Sequence, residues 1–99
     1  MLFQIKVRVE ISKISEFAQK LQGGELDRSC IRGETHCLKD DPAVGYSIWE
    51  TESLDELDAR FAPWRNYYTE VEIREVITPM QAMGALFAQQ KKNPHTRGV

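Results

Sequence analysis

Val44-Gly45-Tyr46-Ser47-Ile48-Trp49-Glu50, followed almost at once by Ser53-Leu54-Asp55-Glu56-Leu57, is the passage on which the fold turns. The first run is the most strand-like in the chain, rich in β-branched and aromatic residues. The second reads as a capping box. The Ser53 hydroxyl can take the amide at the third helical position while Glu56 reaches back. Leu54, Leu57 and Phe61 supply the apolar stripe of that helix, and Pro63 is expected to end it. Downstream, the loop Trp64-Arg65-Asn66-Tyr67-Tyr68 leads into an alternating stretch from Glu70 to Ile77, with Val71 and Ile73 opposite Glu70, Glu72 and Arg74. Thr78-Pro79-Met80-Gln81 then opens a last helix carrying Met80, Met83 and Phe87.

Upstream, Phe3, Ile5, Val7 and Val9 alternate with Gln4, Lys6, Arg8 and Glu10, the pattern of a half-buried strand. Ser12 opens a helix with Ile14, Phe17 and Leu21 on one face and Gly23-Gly24 as its stop. Arg28 to Lys39 alternates less strictly and reads as an edge strand, closed by the turn Asp40-Asp41-Pro42. The order β-α-β-β-α-β plus a C-terminal helix predicts an α+β, ferredoxin-like fold in one domain over residues 1–92. Right-handed crossovers predict strands one and three side by side in the centre and parallel, with strand four antiparallel to strand one. Residues 93–99 have a Pro, a Gly and no periodicity, and are expected to form a disordered tail.

The chain has 99 residues and a formal net charge of −2, so nothing suggests an electrostatic footprint for nucleic acid. No apolar run approaches the ~20 residues of a membrane helix, and the N-terminus does not read as a signal peptide, which predicts a cytoplasmic protein. A domain of this size buries only roughly 60–68% of its unfolded surface, so a partner surface would help. Cys30 and Cys37 fit no CxxC or disulfide framework. They read as small buried side chains, with a reactive thiol as the other reading. One Cys beside His36 falls short of a zinc set, and no metal is expected.

Two crossover helices cover one face of a four-stranded sheet, expected to receive Phe3, Ile5, Val7, Val9, Val71 and Ile73. The other face receives Lys6 and Arg8 beside Glu70, Glu72 and Arg74, with Arg32, Glu34 and His36 further across. Two readings fit it: a solvated face of opposite charges, or a polar cavity formed where two such sheets meet. If Val44 and Ile48 face the helices, Tyr46 does too, and Trp49 lines the cavity on the open face; this is the orientation expected. Trp64, Tyr67 and Tyr68 could wall a pocket, but a dimer contact is the reading preferred. The Met80, Met83 and Phe87 stripe, with Gly84 permitting close approach, suggests a helix that packs on something, a partner subunit being the candidate.

The opening Met1-Leu2-Phe3, the run Tyr46-Ser47-Ile48-Trp49-Glu50, the helix Ser53-Leu54-Asp55-Glu56-Leu57 and the aromatic loop into Glu70-Val71-Glu72-Ile73 together resemble the muconolactone-isomerase-like proteins of the dimeric α+β barrel superfamily. The resemblance is clearest from Tyr46 to about Pro79. It implies homodimers paired sheet to sheet, sometimes assembled further into rings, with a small-molecule cavity and neither metal nor organic cofactor. The Arg28–Lys39 stretch is shorter than the isomerase's counterpart, and the loop before the last strand lacks its Leu-Pro-aromatic-Pro wording. Both departures fall where substrate would be recognised.

These residues predict a homodimeric small-molecule-binding protein. As an enzyme it would be a cofactor-independent isomerase moving a proton on an acidic or lactone-like substrate. Glu72 or His36 would move the proton, Lys6, Arg8 and Arg32 would hold the anion, and Trp49 would form an apolar wall. A cofactor-free oxygenase and a non-catalytic ligand sensor are the alternatives.

Overall fold

A computed structural model describes residues 1–92; the expected tail, 93–99, lies outside the described residues. The elements are β1 (Leu2–Val9), a single 3-10 turn (Ile11–Lys13), α1 (Ile14–Gln22), β2 (Ile31–Cys37), β3 (Val44–Glu50), α2 (Leu54–Arg65), β4 (Tyr68–Val76) and α3 (Pro79–Lys92). The fold is α+β and ferredoxin-like, with the sheet in the order β2-β3-β1-β4. No helix among the described residues is long and apolar enough to cross a membrane.

β1 and β3 are central neighbours as expected, but they run antiparallel, not parallel. The reason is connective. A helical crossover returns β2 in the direction of β1, and the tight β2–β3 connection then reverses it. β4 pairs antiparallel with β1, as the pattern predicts.

Phe3 and Ile5 are buried on the helix side, with Val7, Val9, Val71 and Ile73 packed against the same cluster. From α2 the core receives Leu57, Phe61 and Trp64, spaced i, i+4, i+7, while Leu54 stays about half exposed. Pro63 does not end α2. It forfeits one backbone bond, but buried Trp64 anchors the following turn and the helix continues to Arg65. Both capping signatures close. The Glu56 amide donates to Ser53 Oγ at 3.1 Å, and Glu56 Oε2 accepts from the Glu52 amide. At α3, the Gln81 amide donates to Thr78 Oγ1 at 3.2 Å and the Thr78 amide to Gln81 Oε1 at 3.0 Å.

Register decides which face each β3 residue serves. Trp49 pairs with Phe3, Ser47 with Ile5 and Gly45 with Val7, so these three look toward the helices. Trp49 is therefore in the core, 1% exposed, edge-on to Phe61 and Trp64 at centroid distances of 5.4 and 5.7 Å. The expected orientation of β3 is thus reversed. Tyr46 and Ile48, beside Lys6 and Gln4, lie on the open face.

Candidate functional site: a cavity between sheet and helices

Two irregularities in the sheet border the space between sheet and helices. Between Arg8 and Val9 the β1–β4 register slips: Arg8 pairs with Glu70 but Val9 with Tyr68, leaving Thr69 as the extra residue. Strict alternation from Val71 would put Tyr68 on the open face. The bulge turns it to the helix side, where its ring stacks on Phe61 at 5.9 Å and meets Phe17 edge-on at 5.6 Å. The second slip lies in β2 between Arg32 and His36, where Gly33 takes a φ of +72°, a conformation natural only to glycine.

Between these features lies a cavity of about 180 Å³. Val7, Val9, Phe17, Phe61, Trp64 and Tyr68 supply most of its apolar wall, and Arg28, Thr35, Cys37 and Ser47 also line it. Gly45 contributes by omission: a Cβ there would sit 3.5 Å from Cys37 Sγ and 3.6 Å from Val7 Cγ2. The volume suits one six-membered ring, since an apolar cavity of ~150 Å³ accepts benzene.

The polar groups of this wall are unequal. Trp49 Nε1–H donates to Ser47 Oγ at 2.9 Å and is satisfied. Trp64 Nε1 is buried and has no hydrogen-bond partner among the described residues. An unpaired buried donor costs roughly 1–3 kcal/mol, so it invites an acceptor. Burial, and secondarily the Cys37 thiol, pushes the Tyr68 phenol well above its usual pKa, so it stays a neutral hydroxyl. The cavity is thus lined by aromatic side chains, among them the neutral Tyr68 and the indole of Trp64, whose own N–H is buried within the wall, and Arg28 is the cation among its lining residues.

The site residues expected from sequence lie largely elsewhere. His36, Tyr46, Lys6 and Glu72 form one transverse row across the open face, each opposite the next. Three strand spacings separate His36 from Glu72, roughly 14 Å, so one small substrate cannot engage both within a subunit. Lys6 and Glu72 do come together with Gln4, Tyr46 and Arg74 around a depression of about 220 Å³. Arg8 is held by Asp41 at 2.9 Å and Glu70 at 3.4 Å, and the Asp41 contact raises its pKa further. Arg32 is held by Glu50 at 2.8 Å. His36 contributes to the cavity lining, although its side chain is exposed, with Glu34 at 3.8 Å. Trp49 is in the core and forms no wall of an open-face site.

Sequence reasoning passed over Trp64 and Tyr68 as dimer contacts; both lie instead between the chain's own sheet and helices. Their clustering was the available signal, but the bulge that aims Tyr68 inward leaves no mark in the alternation. Cys30 is buried as expected, whereas Cys37 is exposed and lines the cavity.

No protein-family model matches the chain, and no curated protein matches it in sequence. Among solved structures it is similar to 5-chloro-2-hydroxyhydroquinone dehydrochlorinase from Burkholderia phenoliruptrix AC1100, in complex with 2,5-dihydroxybenzoquinone. That match has 18% identity and a TM-score of 0.53, and covers 82% of this chain and 98% of that one. It is also similar to protein Atu4242 from Agrobacterium tumefaciens, at 18% identity and a TM-score of 0.48 over 80% of this chain and 95% of that one. An antibiotic biosynthesis monooxygenase matches at 14% identity and a TM-score of 0.46 over 79% of this chain and all of the other. With its antiparallel β2-β3-β1-β4 sheet backed by α1 and α2, the chain shares its α+β, ferredoxin-like fold with the dehydrochlorinase.

Proposed function

We propose that this protein is a homodimer that binds a small, single-ring, oxygenated molecule in the cavity between its sheet and helices. The observation that carries the reading is the ring-sized space walled by Phe17, Phe61, Trp64 and Tyr68, in whose wall the Trp64 indole N–H is buried with no partner among the described residues. A ring bearing a carbonyl, enol or phenol oxygen would fill the apolar volume, and its oxygen would draw that donor toward the cavity. Tyr68, neutral across the physiological range, offers a hydroxyl as a second donor, and Arg28 favours a ligand with an ionised oxygen. Such a set stabilises charge on a ring oxygen, as enolate or phenolate chemistry requires, whether the ring next exchanges a proton or meets an oxidant. The ring hydroxyquinone bound by the dehydrochlorinase is a ligand of this chemical type.

Pairing through the open sheet face is supported by its composition. Lys6 opposite Glu72 and Arg8 opposite Glu70 interleave with the half-buried Leu2, Tyr46, Ile48 and Val76. A surface that carries both charge signs interspersed with apolar side chains can meet a second copy of itself, as a twofold interface requires.

A second reading places isomerisation on that face, with Lys6 holding an anion and Glu72 moving a proton in the depression the two share with Tyr46. Titration with 2,5-dihydroxybenzoquinone, followed by calorimetry, separates the two. The cavity reading expects binding weakened at least about tenfold by Trp64→Phe and left unchanged by Glu72→Gln. Binding abolished by Glu72→Gln and indifferent to Trp64→Phe would move the site to the sheet face. No binding of this or any related hydroxyquinone or phenol would overturn the cavity reading.

A further inference from the structure

Among the described residues, α3 is the one long element that contributes nothing to the core cluster. Its side chains show why that is a problem for an isolated chain. From Pro79 to Gln90 there is no charged residue: the sequence is Met, Leu, Phe, Ala and Gly relieved only by three glutamines. Ile77, Met80, Met83, Leu86 and Phe87 are all between 50 and 76% exposed. A solvated surface helix normally carries charge on its outer face, and one without it is built to be covered.

We infer that α3 is an arm that packs against a second copy of this chain. The inference rests on the sheet-face pairing proposed above and adds to it a named element and its contact residues. Three observations support this occupant over others. First, the apolar surface is continuous with the proposed interface. α3 leaves the sheet at Val76, which pairs with Leu2 on the open face, and exposed Ile77 bridges from that edge to the helix. Second, the five side chains offer on the order of 500 Å² per copy, so about 1,000 Å² in a twofold pair. That reaches the lower bound of a specific interface before any sheet contact is added. Third, no cation is interleaved with the apolar run from Pro79 to Gln90, as cations are in interfacial helices that hold anionic lipid; the two cations of α3, Lys91 and Lys92, come only at its last two positions. Its 14 residues span about 21 Å, longer than the ~14 Å between the outer strands of a four-stranded sheet. The arm is therefore long enough to cross a neighbouring subunit. Gly84 lies within it, and a methyl group added there would meet nothing within 4 Å, leaving room for a close partner backbone.

The test incorporates a photo-cross-linking amino acid in the full chain at Phe87, and separately at Leu86, and irradiates an equal mixture of isotopically heavy and light protein. The expected product has twice the chain mass and contains one heavy and one light chain. Sedimentation is run alongside, and Met83→Gln with Phe87→Gln should raise the dimer dissociation constant at least about thirtyfold. Because these side chains lie outside the core, the circular dichroism of that variant should match the wild type. A dimer by sedimentation whose cross-links fall only within one chain, or whose dissociation the double substitution leaves unchanged, overturns the arm and leaves the sheet pairing standing. A monomer at micromolar concentration overturns both. Flotation of the protein with phosphatidylcholine vesicles, lost in the double variant, would overturn the arm and reassign α3 to a lipid surface.

Discussion

Trp64→Phe separates a residue kept for packing from one kept for a ligand, because its two effects on stability oppose each other. The indole lies in the core, edge-on to Phe17 at 6.2 Å and to Trp49 at 5.7 Å. Phenylalanine retains a ring for those contacts but removes the second ring's remaining atoms. Losing that surface costs about 1–1.5 kcal/mol, and the ~40 Å³ of added void costs about 1 kcal/mol more. Against this, the substitution deletes a buried N–H that has no partner among the described residues, relieving roughly 1–3 kcal/mol. The net change should fall within about 1.5 kcal/mol of zero, unlike the 3–5 kcal/mol of truncating a core Trp to Ala. Urea denaturation of wild type and variant, fitted with a common slope, reads this directly. Calorimetric titration with the hydroxyquinone should show the opposite pattern. A lost hydrogen bond to an ionised oxygen is worth about 1.5–3 kcal/mol, or more than tenfold in affinity. A stability loss above about 3 kcal/mol with binding unchanged would mean that the N–H has a structural partner, and the cavity would lose its claim to be a site.

Three further outcomes follow from the same packing. Tyr68 has its pKa raised by burial, so its contribution is complete below the unfolded value near 10 and is lost as pH rises beyond it. Stability should then fall by up to about 1.4 kcal/mol per pH unit more steeply in wild type than in Tyr68→Phe; identical alkaline slopes would count against a buried phenol. Leu57→Ala, at a fully buried position facing the sheet, should cost about 2–5 kcal/mol, and a loss under about 1 kcal/mol would contradict its place in the core. Gly45→Ala should leave the fold intact, since its Cβ meets only ordinary contacts of 3.5 Å or more, while Gly45→Leu should fill the cavity and abolish ring binding. Undiminished binding in the leucine variant would place the ligand elsewhere.

The elements were legible because their signals are local. Alternation from Phe3 to Val9, the boxes Ser53–Glu56 and Thr78–Gln81, and the positions of Leu57 and Phe61 each depend on a few neighbouring residues. Strand direction and facing depend on the whole connection. Assigning β3 parallel to β1 overlooked the reversal at Asp40–Pro42, and assigning Trp49 to the open face took Ile48 as a guide to the core. Both β3 faces carry large apolar residues, so alternation cannot choose between them. The pairing of Trp49 with Phe3 does.

The site was less legible for a related reason. Charged residues on a sheet face announce themselves in sequence, and Lys6, Arg8, Arg32 and Glu72 do occupy that face. Yet the cations Arg8 and Arg32 are already matched by Asp41, Glu70 and Glu50. Such exposed pairs contribute little to stability and leave little free charge for a ligand. The cavity is marked by what is missing: a side chain at Gly45, a partner for Trp64 Nε1, and one residue's worth of register at Thr69. None of these omissions has a compositional signature, and each departs from what the surrounding strand or core would otherwise adopt. A bulge, a glycine and an unpaired donor each weaken a fold that could have been built without them. Their convergence on one ring-sized space is why the inter-layer cavity, rather than the more conspicuous charged face, is the better place to look for this protein's ligand.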